Sequence, residues 1–341
     1  MLDTLDLPRN TCAWKLGGAD TFRLSSAALF DLYGTNLTNI EKSIRRMYWA
    51  DKGKCLVQVD QAGAEALIVA YLCKHGKFRD LFLHGIKIHV FVAIHVFLDT
   101  WKIKARDIDV AKFTATPIAE LKSLAGWKEL DTLIKESDNW KPTERYYFFA
   151  KQMCHSLNYD ARAEAFRMNV LEKSRGMVVL SKQQAQDYIM KYFSLFPEIH
   201  DWHRDLAQEL RATGMIFNLQ GFPFINTGPT QLTDYDLKAW YAIIPQSTVG
   251  CITHKAITDM QSFIEDTGVN WDVWINGHDS MVTQCPVGEE KQCGAKSREF
   301  MEQELTSPRG EKFRMKSEAQ YGLNWGPKKD SNPDGLRELV L

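Results

Sequence analysis

An apolar strand that ends in a carboxylate is the sequence feature that most restricts the fold of this chain. Residues 54–72 read KCLVQVDQAGAEALIVAYL, and the alternation that includes Val57 and Val59 predicts a strand followed by a helix. Asp60 ends this strand, and Glu65 lies in the first turn of the helix. Because a buried carboxylate is costly without compensation, Asp60 is either a structural residue with satisfied hydrogen bonds or part of a functional site.

Composition limits the class of protein. Hydrophobic residues make up 45% of the chain and charged residues 25%, as in ordinary globular proteins. The 42 Lys and Arg residues balance 43 Asp and Glu residues, so any surface that binds nucleic acid must be local. The seven cysteines are scattered without a C-x-x-C pair, which excludes a disulfide framework or structural zinc site and favours a reducing compartment. No run approaches the roughly 20 apolar residues of a membrane span, so we expect a cytoplasmic protein without a membrane partner.

The predicted elements form two strand-bearing regions separated by a helical one. Strands are predicted within 44–60, a helix over 62–84, helical patterns over 86–214, strands over 215–219, 271–275 and 281–285, and a helix over 234–265. The first twenty residues are expected to be irregular. The two strand-bearing regions are expected to share one sheet.

A second acidic residue lies at a predicted hairpin. In residues 271–284, WDVWINGHDSMVTQ, an Asn-Gly pair separates two β-prone runs, which is a strong hairpin signal. His278 and Asp279 are therefore expected at or just after a tight turn. By itself the pattern is also typical of a turn Asp that bonds its own backbone.

A stripe of polar side chains marks one predicted helix. In residues 144–160, ERYYFFAKQMCHSLNYD, Lys151, His155 and Tyr159 recur at intervals of four, which predicts that they share one helix face. Taken alone, such a stripe is also typical of an ordinary solvated face.

The order and spacing of these stretches resemble those of the family A DNA polymerases, the DNA polymerase I group. The resemblance covers residues from about 20 to about 326. The family's first signature matches TFRLSS (21–26) and NLTNI (36–40). Motif A matches Asp60 with Glu65, motif B matches Lys151, His155 and Tyr159, and motif C matches His278 with Asp279. Supporting matches are GIKIH (85–89), YFSLFPEI (192–199), LQGFPF with Gly221, IPQST with Gln246, and GLNW (322–325).

The resemblance implies an α+β fold, the right-hand palm of a polymerase with an inserted helical fingers subdomain. The palm would be an antiparallel sheet with flanking helices. The implied division is an irregular segment at 1–20, palm at 21–75, fingers at 76–225 and palm again at 226–341. Because only about twenty residues precede TFRLSS, the thumb and the proofreading exonuclease are expected to be absent from this chain and supplied by another polypeptide, unless the chain is a fragment.

The implied function is template-directed DNA synthesis on primer-template DNA from dNTPs. Nucleotidyl transfer of this type uses two divalent cations, here two Mg²⁺ ions with Mn²⁺ as a substitute. Hard cations prefer carboxylate oxygens, and the implied ligands are Asp60, Asp279 and Gln61. The metal would compensate the charge of the buried carboxylates.

The resemblance also implies roles for other side chains. Glu65 would exclude the 2′-hydroxyl of a ribonucleotide, although an exposed helix Glu with i,i+4 contacts is the alternative. Lys151, His89 and Arg145 would bind the triphosphate, His155 and Tyr159 would cover the sugar and base, and Arg23, Gln246 and His278 would read the minor groove and the primer end. For His89 and Arg145 a plain surface role stays open.

The chain also departs from the family pattern. Ser280 stands where a third carboxylate is usual, Tyr147 where motif B has Arg, Asp160 where Gly is usual, Gly63 where many members have Gln, and Ala242 where many have Asn. Two alternatives therefore stay open. One is a relative of the single-subunit RNA polymerases, which share the three motifs but carry a small residue at the position of Glu65. The other is a non-catalytic DNA-binding subunit of a split polymerase.

Overall fold

The computed structural model describes residues 12–15, 19, 21–27, 36–229 and 231–341. They divide into two compact units. The first comprises the described residues up to Glu65 together with Phe217–Phe222 and Ile243–Leu341, and the second comprises Ala66–Ile216 and Pro223–Ala242. Among the helices that these residues form, none has the length and apolar character needed to cross a membrane.

Helices and strands are mixed, which confirms the predicted α+β class. The strands are β1 (Ala13–Lys15), β2 (Ser25–Ala27), β3 (Lys54–Gln61), β4 (Met215–Phe217), β5 (Pro223–Ile225), β6 (Asp272–Asn276), β7 (Ser280–Pro286), β8 (Glu304–Thr306), β9 (Lys312–Arg314), β10 (Ser317–Gly322) and β11 (Arg337–Glu338). The helices are α1 (Ala64–Leu72), α2 (Lys77–Leu83), α3 (Ile88–Val96), α4 (Leu98–Lys104), α5 (Val110–Ala115), α6 (Trp127–Glu136), α7 (Tyr146–Leu157), α8 (Ala163–Lys173), α9 (Lys182–Leu195), α10 (Pro197–Thr213), α11 (Asp234–Thr267) and α12 (Glu290–Met301).

The first unit is built around an antiparallel sheet. Within the described residues its strand order is β11-β10-β3-β7-β6, so β3 lies at the centre with β7 and β10 as neighbours. The strands that carry the two acidic motifs therefore share one sheet, as predicted. β3 and β7 are more than 200 residues apart in the chain, and their pairing unites the two strand-bearing regions.

Both faces of β3 are packed, which explains its apolar sequence. Val57 belongs to one core cluster, with Met301 of α12, and Leu56 belongs to a second cluster on the other face, with Trp325. Because side chains alternate between faces along a strand, Asp60 projects on the same face as Leu56. The carboxylate thus lies at the end of the strand, next to a buried apolar cluster.

Two local predictions for the first unit are wrong. The segment around Met47 was expected to be a strand, but Arg45–Met47 is a turn of 3₁₀-helix and only Trp49 forms an isolated bridge, with Asn324. The irregular segment predicted at 1–20 lies largely outside the described residues, yet Ala13–Lys15 is a strand that pairs with β2. Trp49 pairs with a residue far away in the chain, so the local sequence pattern carries little information about that segment.

The second unit is mainly helical, as predicted for residues 86–214. The single helix expected over 62–84 is instead two, α1 and α2, separated by residues 73–76. The long helix predicted over 234–265 is confirmed as α11. Residues 66–75 and 226–242 belong to this helical unit, whereas the sequence interpretation placed them in the palm, so the names palm and fingers stay predictions.

Candidate active site

Pairing between β3 and β7 brings the two motif aspartates together. Asp60 lies opposite Ser280 in the ladder, one residue from Asp279. Beyond the end of the ladder, the backbone N–H of Gln61 donates a hydrogen bond of 2.8 Å to the carbonyl oxygen of Asp279. The predicted pairing of the two strands is therefore confirmed.

A tight hairpin holds Asp279, as the Asn-Gly pair predicted. The N–H of Gly277 donates to the Ser280 carbonyl at 2.7 Å, and the N–H of His278 donates to Asn276 Oδ1 at 3.0 Å. The residue with positive φ is His278, at 71°, rather than the glycine. A Cβ at position 277 would lie 2.1 Å from Ser280 Oγ and 3.3 Å from the Ser280 carbonyl oxygen, so a side chain there would require the Ser280 hydroxyl to move.

The surroundings of the two aspartates disfavour the charged form of each carboxylate relative to its neutral form. Burial, and then the negative charge of Asp279, raise the pKa of Asp60 to about 7. Burial also raises the pKa of Asp279, although the positive charges of Arg23 and Lys42 act in the opposite direction. Within the described residues, neither carboxylate takes part in a side-chain salt bridge. The pair therefore has negative charge that no protein cation fully balances.

Sequence reasoning missed two cations near this pair. Lys42 lowers the pKa of both aspartates, and Arg45 interacts electrostatically with both as well. Arg45 is held by a hydrogen bond of 3.1 Å from its Nε to the Ile40 carbonyl and by the Trp325 ring, 4.2 Å from its guanidinium carbon. The sequence feature that could have indicated them is the three basic residues within 42–46. The sequence interpretation treated this segment only as the start of a strand.

The donor set fits a divalent cation through its carboxylates. Mg²⁺ prefers carboxylate oxygens as ligands. A bound cation would also relieve the repulsion between the two buried carboxylates. Among the described residues, however, no group of three or more His, Cys, Asp or Glu side chains is placed to hold an ion. Gln61 is adjacent to Asp60 in the strand, so its buried side chain points to the opposite face, and only its backbone carbonyl could join Asp60 as a ligand.

Glu65, the residue predicted to exclude ribonucleotides, contacts Arg23, a predicted DNA-binding residue. Arg23 Nη2 donates to Glu65 Oε1, and about a quarter of each side chain is exposed. His278 lies in the same electrostatic environment, because burial, and then the charge of Arg23, lower its pKa. Four of the predicted residues, Arg23, Glu65, His278 and Asp279, thus influence one another. Gln246 lies in α11, half-buried, directly after Pro245.

In the helical unit, α7 carries Lys151 and His155 on its exposed side. His89 of α3 faces them: its ring lies 6.4 Å from the His155 ring and 5.6 Å, edge-on, from the Tyr147 ring. Burial, and then the nearby His155 and Lys151, lower the pKa of His89 to about 3, so its imidazole is neutral at pH 7. The structure therefore brings Lys151, His155 and His89 together as a small cationic and imidazole surface.

Arg145 and Tyr159 lie at the two ends of α7. Arg145 is the N-cap residue, and its Nε donates to the Asp138 carbonyl at 2.7 Å, so its guanidinium is partly occupied by the preceding turn. The helix ends at Leu157, so Tyr159 lies in the following turn rather than on the helix face. The prediction that the stripe continues along one helix face is therefore wrong at its last member.

A buried network supports the turn that carries Tyr159. The Tyr192 hydroxyl donates to Asn158 Oδ1 at 2.7 Å, and His203 Nε2 donates to the Asn158 carbonyl at 2.8 Å. The His203 ring also stacks on Tyr241, with centroids 4.1 Å apart. Burial lowers the pKa of His203 to about 4, so the imidazole in this network is neutral at pH 7.

This network predicts a loss of stability in acid. An imidazole with a folded-state pKa of about 4 and an ordinary unfolded value of about 6.5 stabilises the fold fully above pH 6.5 and progressively less as the pH falls toward 4. His203→Gln keeps an N–H donor and cannot titrate. We expect its free energy of urea unfolding to fall less than that of the unmodified chain between pH 7.5 and 4.5, by up to about 3 kcal/mol. The exposed His84→Gln variant is the control, and equal slopes for His203→Gln and the unmodified chain would contradict the assignment.

Asp160 lies in a backbone conformation that glycine adopts without strain. Its φ is 55°, in the left-handed region, and the N–H of the next residue, Ala161, bonds back to the Ser156 carbonyl, as in the motif that often terminates helices with glycine. Burial also raises the pKa of Asp160. Asp160 thus adopts the left-handed conformation at the end of the helix at some energetic cost, because a residue with a side chain is strained there.

Asp160→Gly should therefore stabilise the helical unit by about 0.5–1 kcal/mol, because glycine adopts this conformation without strain. Asp160→Asn, which tolerates the same φ but carries no charge, isolates the contribution of burial. Asp160→Ala should gain less than Asp160→Asn, since alanine is strained at positive φ. Urea unfolding at pH 7.5 measures all three. An alanine variant as stable as the glycine variant would contradict the conformational explanation.

Comparisons with known proteins identify similar chains. Residues 133–327 match the family model described as DNA polymerase family A. A DNA polymerase of Bacillus phage SP01 is 22% identical over 197 residues, which cover 55% of this chain and 20% of that protein. The POL domain of Pol1 from M. smegmatis, solved in complex with DNA primer-template and dNTP, has the same fold with a TM-score of 0.66 and 19% identity.

The extent of these matches differs. The structural similarity covers 92% of this chain and 47% of the M. smegmatis chain, so the chain spans about half of that structure and a fifth of the phage protein. The family match contains Lys151 and Asp279, whereas Asp60 lies before it. Because the matched range covers more than half of the 341 residues, the chain belongs to DNA polymerase family A.

Proposed function

We propose that this chain is the palm and fingers core of a template-directed DNA polymerase. It would join a dNTP to the 3′-hydroxyl of a DNA primer and release pyrophosphate, without proofreading by this chain. The observation that carries the proposal is the pair of desolvated aspartates, Asp60 and Asp279, which the pairing of β3 with β7 brings to one edge of the sheet. The proposed location is the cytoplasm of a bacterium or of a virus-infected host cell.

Asp60 and Asp279 would hold two Mg²⁺ ions, together with the backbone carbonyl of Gln61. When bound, such ions activate the primer hydroxyl and neutralise the charge of the triphosphate and the leaving pyrophosphate. The protein's part is to hold both carboxylates close together and partly shielded from water, so that a bound cation stabilises their ionised forms. Their raised pKa values favour cation binding near and above neutral pH, because protons compete for the same oxygens.

Other predicted residues would bind the substrates. Lys151, as a compact charge, and His89 would contact the triphosphate, with Arg145 nearby. His155 and Tyr159 would cover the sugar and base of the incoming nucleotide. Glu65 would exclude a 2′-hydroxyl, and Arg23, Gln246 and His278 would contact the primer end and minor-groove acceptors shared by all correct base pairs. Since the net charge is −1, DNA binding should be weak, and its affinity should fall with salt according to the number of phosphates that local Lys and Arg residues contact.

Primer extension tests this function. A labelled primer-template, Mg²⁺ and the four dNTPs are incubated with the chain, with and without a chelator. Extension that requires Mg²⁺ supports the proposal, and extension with rNTPs alone would indicate the RNA polymerase alternative. No extension, even with a separate polypeptide that supplies the thumb, would indicate a non-catalytic DNA-binding subunit.

A further inference from the structure

The sheet places a further carboxylate beside Asp60. In the ladder between β10 and β3, Glu318 lies directly opposite Asp60, and in the ladder between β3 and β7 Ser280 lies opposite the same residue. Directly opposed residues of antiparallel strands project from one face, with Cβ atoms about 5 Å apart. The side chains of Glu318 and Ser280 therefore flank that of Asp60, and only the former carries charge.

Packing does not explain the glutamate at this position. Along β10, Ser317 and Ala319 are buried on the other face, whereas Glu318 is exposed. Within the described part of the chain, Glu318 forms no salt bridge. Its negative charge acts on Asp60, whose pKa it helps to raise behind the larger effects of burial and Asp279. An exposed glutamate in this position destabilises the neighbouring carboxylate unless a cation is present.

We propose that Glu318 is a positioning residue for the divalent cations of this site. The inference rests on the proposed function, because it takes Asp60 and Asp279 as the residues that hold the ions. Mg²⁺ usually keeps several waters when it binds to protein carboxylates. Since the described residues contain no group of three carboxylates placed around one ion, Glu318 acts on the hydrated ion through water and charge rather than as a direct ligand.

The expected size of the effect follows from this indirect role. Removal of a group that supports a metal from beyond its direct ligands typically weakens binding by about 10-fold or more. Because Glu318 is exposed, salt should screen its contribution more than that of the buried aspartates. The dependence on salt therefore separates an electrostatic role from a change in the ladder itself.

Mn²⁺ binding to the intact chain, without DNA or nucleotide, tests the proposal. Free Mn²⁺ is measured by electron paramagnetic resonance during titration. The titration is done at low salt and at about 0.5 M salt, where exposed charges are strongly screened. The variants are Glu318→Gln, Glu318→Asp and Glu318→Lys, with Asp60→Asn to define the site and the exposed Glu265→Gln of α11 as the matched control. Thermal unfolding of each variant verifies that the fold is kept.

We expect Glu318→Gln to weaken Mn²⁺ binding about 10-fold at low salt, Glu318→Lys to weaken it more, and Glu318→Asp to weaken it less. The differences should shrink at high salt, and Glu265→Gln should bind like the unmodified chain. If Asp60→Asn loses binding while all three Glu318 variants keep the original affinity, the role of Glu318 is refuted and the proposed function stands. If the unmodified chain binds no Mn²⁺, the proposed function fails, and this inference fails with it.

Discussion

Asp60→Asn and Asp279→Asn should each lower the rate of primer extension by about 10³-fold or more. The pairing of β3 with β7 brings Asp60 and Asp279 to the junction of β3 and the β6–β7 hairpin, where both are proposed to hold the ions. Asparagine keeps the shape of the side chain and removes the charge that a divalent cation needs. Single-turnover extension with Mg²⁺ and dNTPs measures the loss.

The two substitutions should not be additive. If both aspartates hold one pair of ions, the double variant should be little less active than either single variant, because residues that act as a unit lose their function together. Asp266→Asn, at an exposed position near the end of α11, is the matched control and should leave the rate unchanged. Extension by both single variants at near the original rate would refute the two-metal proposal.

Stability provides an independent measurement on Asp60→Asn. The folded-state pKa of Asp60 is about 7 and lies above the ordinary aspartate value, so the fold binds a proton that the unfolded chain releases. The unmodified chain therefore loses stability as the pH rises from about 4 to 7, and the loss persists above pH 7. Without metal at pH 8, Asp60→Asn should be more stable by on the order of 1–2 kcal/mol. Mg²⁺ should stabilise only the unmodified chain.

Glu65→Ala should raise the incorporation of ribonucleotides relative to deoxyribonucleotides by about 100-fold. In the proposed function the side chain of Glu65 occupies the space that a 2′-hydroxyl would need, and alanine opens that space. The contact with Arg23 holds the carboxylate in one place, which makes the exclusion effective. Competition between each dNTP and its rNTP in single-nucleotide extension measures the ratio.

Glu65→Gln separates size from charge in this prediction. Glutamine keeps the length of the side chain and can still accept a hydrogen bond from Arg23, so it should keep most of the discrimination. Extension with dNTPs should stay within about tenfold of the original rate in both variants, since neither removes a metal-holding residue. An unchanged preference in Glu65→Ala would show that Glu65 does not exclude ribonucleotides.

Local pattern was most informative where an element is long or closed by a short turn. The helix α11 follows from its length and composition, and the hairpin at Asp279 follows from Asn-Gly between β-prone runs. Prediction was weaker where distant segments decide the structure. The segment around Met47 packs beside residues 323–325, and that partner cannot be read from the segment itself. The turn at Tyr159 depends on a helix end that Asp160 forms at positive φ.

The amino-acid sequence alone determined the elements and the chemistry that they carry: two carboxylates at strand ends, a helix with Lys151 and His155, and an order of motifs found in DNA polymerase family A. Only the tertiary structure placed Glu318 beside Asp60, Glu65 against Arg23, and Lys42 and Arg45 near both aspartates. The physical reason is that strand register and the approach of remote charges are set by packing across the whole unit. The local sequence pattern shows which residue types are present, but it does not show which side chains come into contact in the folded protein.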